Sequence, residues 1–284
     1  MIKVENLSFS YRKNKLFPEL NILIKPGSVC GLLGKNGAGK STLLQLMAGL
    51  LFPESGKCSV GKHIPPERRP EFLEETCFVG EEILSPRMKP DEYIKRNAPF
   101  YPKFSADIIR KNLEKFEVNA DKKLNEMSYG ERKKFFLSFT FAKNCSFLLL
   151  DEPTNGLDIP SKSIFRKIVA ECATEDKIII ISTHQTRDLE KIIDTALILE
   201  KGKILFHHSI EEVQDNLLFS ASPSEVDGAF YSEKIPGGVA SVLDRASAGA
   251  LSAPSETNLE MLFNAVINCG DKINNVFKKG ANVK

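Results

Sequence analysis

The residues with the clearest chemistry form one glycine-rich stretch near the start of the chain. It reads Gly34-Lys35-Asn36-Gly37-Ala38-Gly39-Lys40-Ser41 and is followed by Thr42. It matches the pattern G-x-x-x-x-G-K-[ST] at every fixed position, and in that pattern glycines let backbone N–H groups wrap around phosphates. We expect the nucleotide to be held by Gly34, Asn36, Gly37, Ala38, Gly39, Lys40, Ser41 and Thr42, with Lys40 reaching the β- and γ-phosphates and the Ser41 hydroxyl binding Mg²⁺. A glycine-rich turn without a ligand is the alternative.

Two acidic residues, Asp151 and Glu152, directly follow the apolar run Phe147–Leu150. Such a run predicts a buried strand that delivers both carboxylates at its end. We expect Asp151 to hold Mg²⁺ through water and Glu152 to activate the attacking water, as in other ATPases with a phosphate-binding loop. By itself an acidic pair after an apolar run is most often a strand that ends in solvent. The glycine-rich stretch upstream favours the catalytic interpretation.

The elements around these groups are predicted from hydrophobic periodicity and turn residues. A buried strand at Ser28–Leu33 precedes the glycine-rich stretch, and a helix at Ser41–Ala48 follows it. Further strands are predicted at Thr76–Val79, Phe147–Leu150 and Lys177–Ser182, with helices at Asp91–Ala98, Ser105–Phe116, Glu131–Ala142 and Ser161–Thr174. Alternating strands and helices favour a parallel sheet flanked by helices, with residues 82–143 as a helical insert.

Composition excludes several other classes of protein. The 284 residues are 42% hydrophobic and 27% charged, which is typical of a folded globular chain. A net charge of +2 does not favour a nucleic-acid groove, so no nucleic-acid partner is expected. No run approaches the ~20 apolar residues that span a bilayer, and the first residues do not resemble a signal peptide. The six cysteines form no CxxC pair, which fits reduced thiols in the cytosol.

A further five residues, Met127-Ser128-Tyr129-Gly130-Glu131, make the chain similar to the ATPase subunits of ATP-binding-cassette (ABC) transporters. The family signature is LSGGQ, so Ser128 and Gly130 match, whereas Met127, Tyr129 and Glu131 depart from it. The resemblance extends over at least residues 1–207. It implies that this loop faces the γ-phosphate held by a second subunit. A plain helix N-cap with an acidic first turn is the alternative.

Three other positions match the family. The resemblance implies that Tyr11 stacks on adenine, although a core aromatic is the alternative. In the loop Asn155-Gly156-Leu157-Asp158 it implies that Asp158 couples the two sites of a dimer, against the alternative of an ordinary turn. It also implies that His184, after the strand, contacts the γ-phosphate.

One position departs from the family in a charged side chain. Where the family has a glutamine that binds Mg²⁺, this chain has Glu81. A carboxylate oxygen is also a competent Mg²⁺ ligand, but it adds negative charge beside the γ-phosphate. After the signature loop, the run Arg132-Lys133-Lys134 is predicted to be a solvated helix face.

Together the motifs and the resemblance predict an α/β fold. We expect a P-loop NTPase core with a parallel sheet flanked by helices, an N-terminal antiparallel β subdomain and an inserted α-helical subdomain. Residues 1–214 are predicted to form the ATPase domain, and residues 215–284 a small C-terminal appendage. Within the appendage, Leu259–Val266 reads as an amphipathic helix that weakly resembles the tail of ATPase subunits from exporter-type transporters.

The resemblance implies ATP and Mg²⁺ as cofactors and ATP hydrolysis as the activity. It further implies transport through separate transmembrane permease subunits, a head-to-tail ATP-sandwich dimer with a second ABC ATPase subunit, and a peripheral position on the cytoplasmic face of the membrane. Two alternatives stay open. One is a soluble ABC ATPase without a transport role, and the other is a weakly hydrolysing, nucleotide-dependent regulatory module, suggested by Glu81 and Tyr129.

Overall fold

The computed structural model describes residues 1–83, 85–247 and 256–281. In chain order its strands are β1 (Ile2–Tyr11), β2 (Asn14–Ile24), β3 (Ser28–Leu33), β4 (Ser55–Val60), β5 (Thr76–Val79), β6 (Phe147–Asp151), β7 (Ile178–Thr183), β8 (Thr195–Glu200), β9 (Lys203–Ser209), β10 (Leu217–Ser222), β11 (Tyr231–Ile235) and β12 (Gly238–Asp244). Its helices are α1 (Lys40–Met47), α2 (Pro70–Glu75), α3 (Pro90–Asn97), α4 (Ala106–Lys115), α5 (Tyr129–Ala142), α6 (Ile159–Cys172), α7 (Ile210–Asn216) and α8 (Leu259–Ala281).

A six-stranded sheet forms the centre of the molecule. Its order is β5-β6-β7-β3-β8-β9, and every neighbouring pair is parallel except β8 with β9. The strands are continuous apolar runs because helices or the second sheet cover both faces, and Ile178–Ile181 are all buried. The predicted parallel sheet flanked by helices is confirmed.

A separate antiparallel sheet, of order β2-β1-β4, is built from the N-terminal part of the chain and confirms the predicted β subdomain. Its buried face packs against α1 and the central sheet, and the ring of Phe17 lies against Gly39 of the glycine-rich stretch. The turn between β8 and β9 also packs against β2. There Gly202 has a φ of 72°, and a Cβ at this position would collide with the carbonyl oxygen of Leu16.

Three helices, α3, α4 and α5, lie between β5 and β6. Ser105 caps α4 and Ser128 caps α5, each by accepting a hydrogen bond from a backbone N–H in the first turn. Tyr93 of α3 makes edge-to-face contacts with Phe135 and Phe139 of α5, with ring centroids 5.6 and 5.1 Å apart. These contacts hold the predicted helical insert together.

The C-terminal part adds a third, antiparallel sheet, of order β10-β12-β11, and the helix α8. The predicted helix begins at Leu259 and continues to Ala281 across a kink at Cys269. Its apolar side belongs to the same core as the central sheet, and Phe277 packs edge-on against Phe206 of β9. The division of the chain at residue 214 stays a prediction, although α8 is packed against the central sheet. In the part of the chain that the structure describes, no helix combines the length and apolar character needed to cross a bilayer.

Candidate functional site

A cavity of about 500 Å³ lies where four strands of the central sheet end. The strands β3, β5, β6 and β7 each lead into a segment that contributes to it, which is the usual place for a ligand in an open α/β sheet. The residues that line it are Tyr11, Leu16, Asn36, Gly37, Gly39, Lys40, Ser41, Thr42, Glu81, Glu152 and His184. All of these except Leu16 are predicted site residues. Gly34, Ala38 and Asp151 lie within or directly beside the contributing segments but do not line the cavity.

The ammonium of Lys40 is folded back over the glycine-rich stretch. Its Nζ donates to the carbonyl oxygens of Gly34, at 2.8 Å, and Lys35, at 3.3 Å, and it lies 3.7 Å from Oε1 of Glu152. The side chain is only 6% exposed. Burial lowers the pKa of Lys40, and the charges of Glu152 and Asp151 oppose that shift. A cation is therefore held at the closed end of the cavity, where phosphates would bind.

Ser182 of β7 bonds both acidic residues at the end of β6, Asp151 through its carboxylate and Glu152 through its backbone. The Ser182 hydroxyl donates to Oδ1 of Asp151 at 2.5 Å and accepts from the backbone N–H of Glu152 at 3.1 Å. Glu152 has a φ of 46°, a left-handed conformation that is uncommon for a non-glycine residue. Sequence reasoning missed Ser182, because its contact with Asp151 depends on the register of two strands that are far apart in the chain.

Glu152 uses only one of its carboxylate oxygens. Oε1 lies 2.8 Å from Nδ1 of His184, whereas Oε2 is buried without a hydrogen-bond partner among the described residues. Buried polar atoms are rarely left unpaired in folded proteins. The unpaired oxygen therefore fits a residue whose partner arrives with the substrate.

Glu81 lines the cavity but is also tied to two other motifs. Its Oε1 accepts from Nδ2 of Asn155 at 3.1 Å, and its backbone oxygen accepts from the hydroxyl of Tyr129 at 2.8 Å. The Tyr129 ring in turn packs against Gly156. Sequence reasoning singled out Tyr129 only as a departure and gave Asn155 no role, because contacts between motifs far apart in the chain leave no local pattern.

Tyr11 stands at the open end of the cavity. Its ring is 49% exposed and contacts Phe9 edge-on, and its hydroxyl lies 3.2 Å from Oγ1 of Thr42. One face of the ring is therefore available for stacking, in keeping with the predicted contact to a base.

Ser128, Gly130 and Asp158 do not line the cavity. Ser128 caps α5, accepting from the N–H of Glu131 while that residue's side chain accepts from the N–H of Ser128. Asp158 caps α6 by accepting from the N–H of Ser161 at 2.8 Å, and these bonds to Ser161 lower the pKa of Asp158. For Ser128 this is the helix N-cap of the alternative interpretation, whereas for Asp158 the alternative was an ordinary turn.

The prediction that residues 132–134 form a solvated helix face is wrong at Lys133. This side chain is completely buried, and its Nζ has no hydrogen-bond partner among the described residues. Burial lowers its pKa from 10.5 to about 8, and the charges of Glu81, Asp151 and Glu152 oppose the shift. The reason for the error is that α5 is covered on nearly every side, so it has little solvated face.

The oxygen donors of the cavity suit Mg²⁺ only in part. Ser41 and Glu81 line the cavity and supply hard oxygen ligands, and Asp151 lies at the end of β6 next to Glu152. Mg²⁺ is usually held by one or two protein groups together with phosphates and water. Over residues 1–83, 85–247 and 256–281, no three His, Cys, Asp or Glu side chains are grouped closely enough to chelate a metal. A bound nucleotide and water would therefore complete the coordination.

Comparison with known proteins points in the same direction. A profile of the ABC transporter family matches residues 17–155. An uncharacterised ABC transporter ATP-binding protein of Methanocaldococcus jannaschii is 34% identical over 221 residues, which is 75% of this chain and 79% of that protein. The ABC transporter ATP-binding protein YtrB of Bacillus subtilis is 26% identical over 246 residues, 83% and 82% of the two chains. A dimeric ATP-binding cassette solved in a post-hydrolysis state with ADP and Pi superposes with a TM-score of 0.65 at 21% identity, over 74% of this chain and 98% of that chain.

Proposed function

The chain belongs to the ABC transporter family, and from that premise we propose that this ATPase powers the transport of a substrate through separate membrane permease subunits. The observation that carries the proposal is the position of residues 80–83, 85 and 86, which we treat as one segment. One side of this segment contributes Glu81 to the nucleotide cavity, and the other side forms a wall of a second, mostly apolar cavity of about 660 Å³. A partner bound in the second cavity would therefore touch the segment that meets the nucleotide.

ATP hydrolysis at such a site depends mainly on positioning and on balancing charge. Lys40 would exchange the carbonyl oxygens it now contacts for the β- and γ-phosphates. Glu152 is proposed as the general base, with its free Oε2 accepting a proton from the attacking water while His184 holds Oε1. Ser41, Glu81 and Asp151 would hold Mg²⁺, which supplies charge neutralisation when bound, and Tyr11 would stack on the base.

A second ATPase subunit would complete the site. Ser128, Gly130 and Asp158 are predicted to bind nucleotide, yet they lie outside the cavity of their own chain. Since Ser128 lies at the N-terminus of α5, a 14-residue helix, its N–H groups present positive partial charge to an anion. These positions support a head-to-tail dimer in which each chain caps the nucleotide held by the other.

The second cavity, which we call the apolar groove, is the proposed seat of a permease segment. Its walls are residues 78–80, 82, 83, 85 and 86, Tyr93 of α3, Phe136, Phe139 and Thr140 of α5, and Lys143 directly after α5. An open groove of this size between two elements is typical of a site that takes an amphipathic helix. Binding there would place the chain on the cytoplasmic side of the membrane.

Two measurements test the nucleotide site and the dimer. Phosphate release by purified protein should be nearly abolished in Lys40→Ala but retained in Lys35→Ala, which changes an exposed residue of the same stretch. Size-exclusion chromatography of Glu152→Gln should give a dimer with Mg-ATP and a monomer without it. Near-normal turnover of Lys40→Ala would refute the nucleotide site, and a Glu152→Gln protein that stays monomeric at saturating ATP would refute the sandwich dimer.

The permease contact needs a separate test in the cells that make the protein. A photoreactive phenylalanine analogue at position 136, in the apolar groove, should crosslink to a multi-span membrane protein under ultraviolet light. The same analogue at Phe100, which is 70% exposed elsewhere on the helical insert, is the matched control. Crosslinks only to soluble proteins at position 136 would favour the alternative of an ABC ATPase without a transport role.

A further inference from the structure

Lys133 is a charged residue in an environment that normally excludes charge. Its side chain is completely buried in the described part of the chain, and its Nζ donates no hydrogen bond there. A buried, unpaired ammonium is costly unless other charges compensate for it. Lys133 therefore needs an electrostatic partner rather than a hydrogen-bonding one.

The compensating charges belong to the nucleotide site. Glu81, Asp151 and Glu152 are the carboxylates that act on Lys133, and each favours its charged form. The same three act on Lys40. Two buried lysines, one from α1 and one from α5, thus interact electrostatically with the same three carboxylates. Lys133 adds a second lysine charge to that of Lys40 in offsetting these negative charges.

The ring of Tyr129 packs against the ammonium of Lys133. The Nζ of Lys133 lies 5.8 Å from the centroid of the Tyr129 ring, within the range of a cation–π contact. The ring itself is held by the bond from its hydroxyl to the Glu81 carbonyl oxygen, at 2.8 Å, and by its packing on Gly156. Tyr129 therefore links the ammonium of Lys133 to the backbone of Glu81.

From this geometry we infer that Lys133 is a positioning residue of the ATPase site, whose buried ammonium balances the carboxylate of Glu81 and so lowers the repulsion that the triphosphate meets on entering. ATP carries more negative charge than ADP, so the benefit is larger for ATP. The inference rests on the nucleotide site proposed above. It adds a cation that comes from the helix following the signature loop.

The test is the affinity for nucleotide in the absence of metal. Binding of trinitrophenyl-ATP and trinitrophenyl-ADP is measured by fluorescence in EDTA for the parent, Lys133→Met, Glu81→Gln and the double variant. Methionine keeps the length of the stem and removes the charge. We expect Lys133→Met to bind the ATP analogue about tenfold more weakly, the size expected for one unit charge in a partly shielded site, and to lose less affinity for the ADP analogue.

The double variant separates charge from packing. Because Glu81→Gln removes the carboxylate that Lys133 balances, the double variant is expected to bind the ATP analogue within about threefold of Glu81→Gln alone. Unchanged affinity in Lys133→Met would overturn the inference. The inference would also be overturned if Lys133→Met binds the ATP analogue more weakly and the double variant binds it more than threefold more weakly than Glu81→Gln. The defect would then be one of packing. If Lys133→Met does not fold, Lys133→Gln, which also removes the charge, takes its place in the same comparison of single and double variants.

Two controls complete the experiment. Lys111→Met removes the same charge from an exposed position on α4 and should leave both affinities unchanged. Lys40→Ala reports on the site itself. If Lys40→Ala binds normally, the proposed nucleotide site is wrong; if Lys40→Ala loses binding while Lys133→Met keeps it, only the role of Lys133 is wrong.

Discussion

Oε1 of Glu152 lies 2.8 Å from Nδ1 of His184, while Oε2 of the same carboxylate has no partner among the described residues. Because a carboxylate only accepts hydrogen bonds, Nδ1 carries the hydrogen in this pair. The histidine thus fixes the orientation of the carboxylate and leaves one oxygen free. This asymmetry is what a general base requires, since one oxygen is held still while the other receives a proton.

Glu152→Gln tests the free oxygen. The amide can still accept from His184, so the fold should be unchanged, but it cannot take a proton. We expect ATP hydrolysis to slow by about 10²–10⁴ while ATP binding survives. Single-turnover hydrolysis and equilibrium binding are measured together. In the matched variant His184→Ala, Glu152 keeps its charge but loses the hydrogen bond from His184, so we expect a smaller loss of hydrolysis rate. A larger loss of rate than in Glu152→Gln would contradict the assignment of Glu152 as the base.

Glu81 can be tested by separating its oxygen from its charge. Gln at this position can still accept from Asn155 and bind Mg²⁺, whereas Ala can do neither. We expect Glu81→Gln to stay within about tenfold of the parent rate or to exceed it, about 1.4 kcal/mol at most in the barrier. Glu81→Ala should raise the Mg²⁺ concentration needed for half-maximal rate. Equal damage by Gln and Ala would give the carboxylate a role of its own, and no effect of either would remove Glu81 from the site.

Ser182 is expected to matter more than its size indicates. Removing its hydroxyl leaves Oδ1 of Asp151, which is buried, without its donor and deprives the Glu152 N–H of an acceptor. We expect Ser182→Ala to lower the free energy of unfolding by about 1–3 kcal/mol and to slow ATP hydrolysis. Urea unfolding and phosphate release check both. Ser138→Ala is the control, because Ser138 is equally buried but bonds only the carbonyl of Lys134 in its own helix; equal effects of the two substitutions would contradict the role of Ser182.

Lys133 gives the stability of the protein a dependence on pH of known sign. Burial lowers its pKa from 10.5 to about 8, so between these values the unfolded chain binds a proton that the folded chain has released. The cost of burying the ammonium is fully present below pH 8 and disappears as the pH rises towards 10.5, by roughly 3 kcal/mol at most. Lys133→Met should therefore be more stable than the parent at pH 7, with a margin that shrinks by pH 10. Lys111→Met should follow the parent, and a margin independent of pH would contradict the assignment.

The contiguous motifs could be predicted from the sequence because their chemistry is local. In the stretch from Gly34 to Ser41 the backbone itself forms the binding surface, and the flanking strand and helix are fixed by the apolar residues beside it. The acidic pair after β6 is equally local, since an apolar run of this length ends at the edge of the sheet. These parts of the fold and of the site needed no knowledge of distant contacts.

The contacts between elements could not be predicted in this way. Ser182 reaches Asp151 because β6 and β7 pair with these two residues in register, and register is not written in either strand alone.

The burial of Lys133, by contrast, could have been predicted. The charges of Arg132 and Lys134 beside it indicate a solvent-exposed face, but the aromatic and apolar residues that follow it occur on every side of α5. A helix that is apolar all round is a buried helix, and that signal was sufficient to place its lysine inside.

The hairpin between β8 and β9 lies outside every sequence motif, yet it supports a wall of the cavity. At Gly202 any side chain would push on the carbonyl of Leu16, a residue of the cavity wall, and the neighbouring Phe17 would carry the displacement to Gly39. Since α8 is anchored on the same hairpin through β9, where Asn274 donates to the carbonyl of Leu205 at 3.0 Å, the last helix and the wall of the cavity at Leu16 share one support. A random screen for variants that lose ATP would therefore recover residue 202 beside the glycine-rich stretch, and a ligand that grips α8 would act on nucleotide affinity from the far side of the sheet.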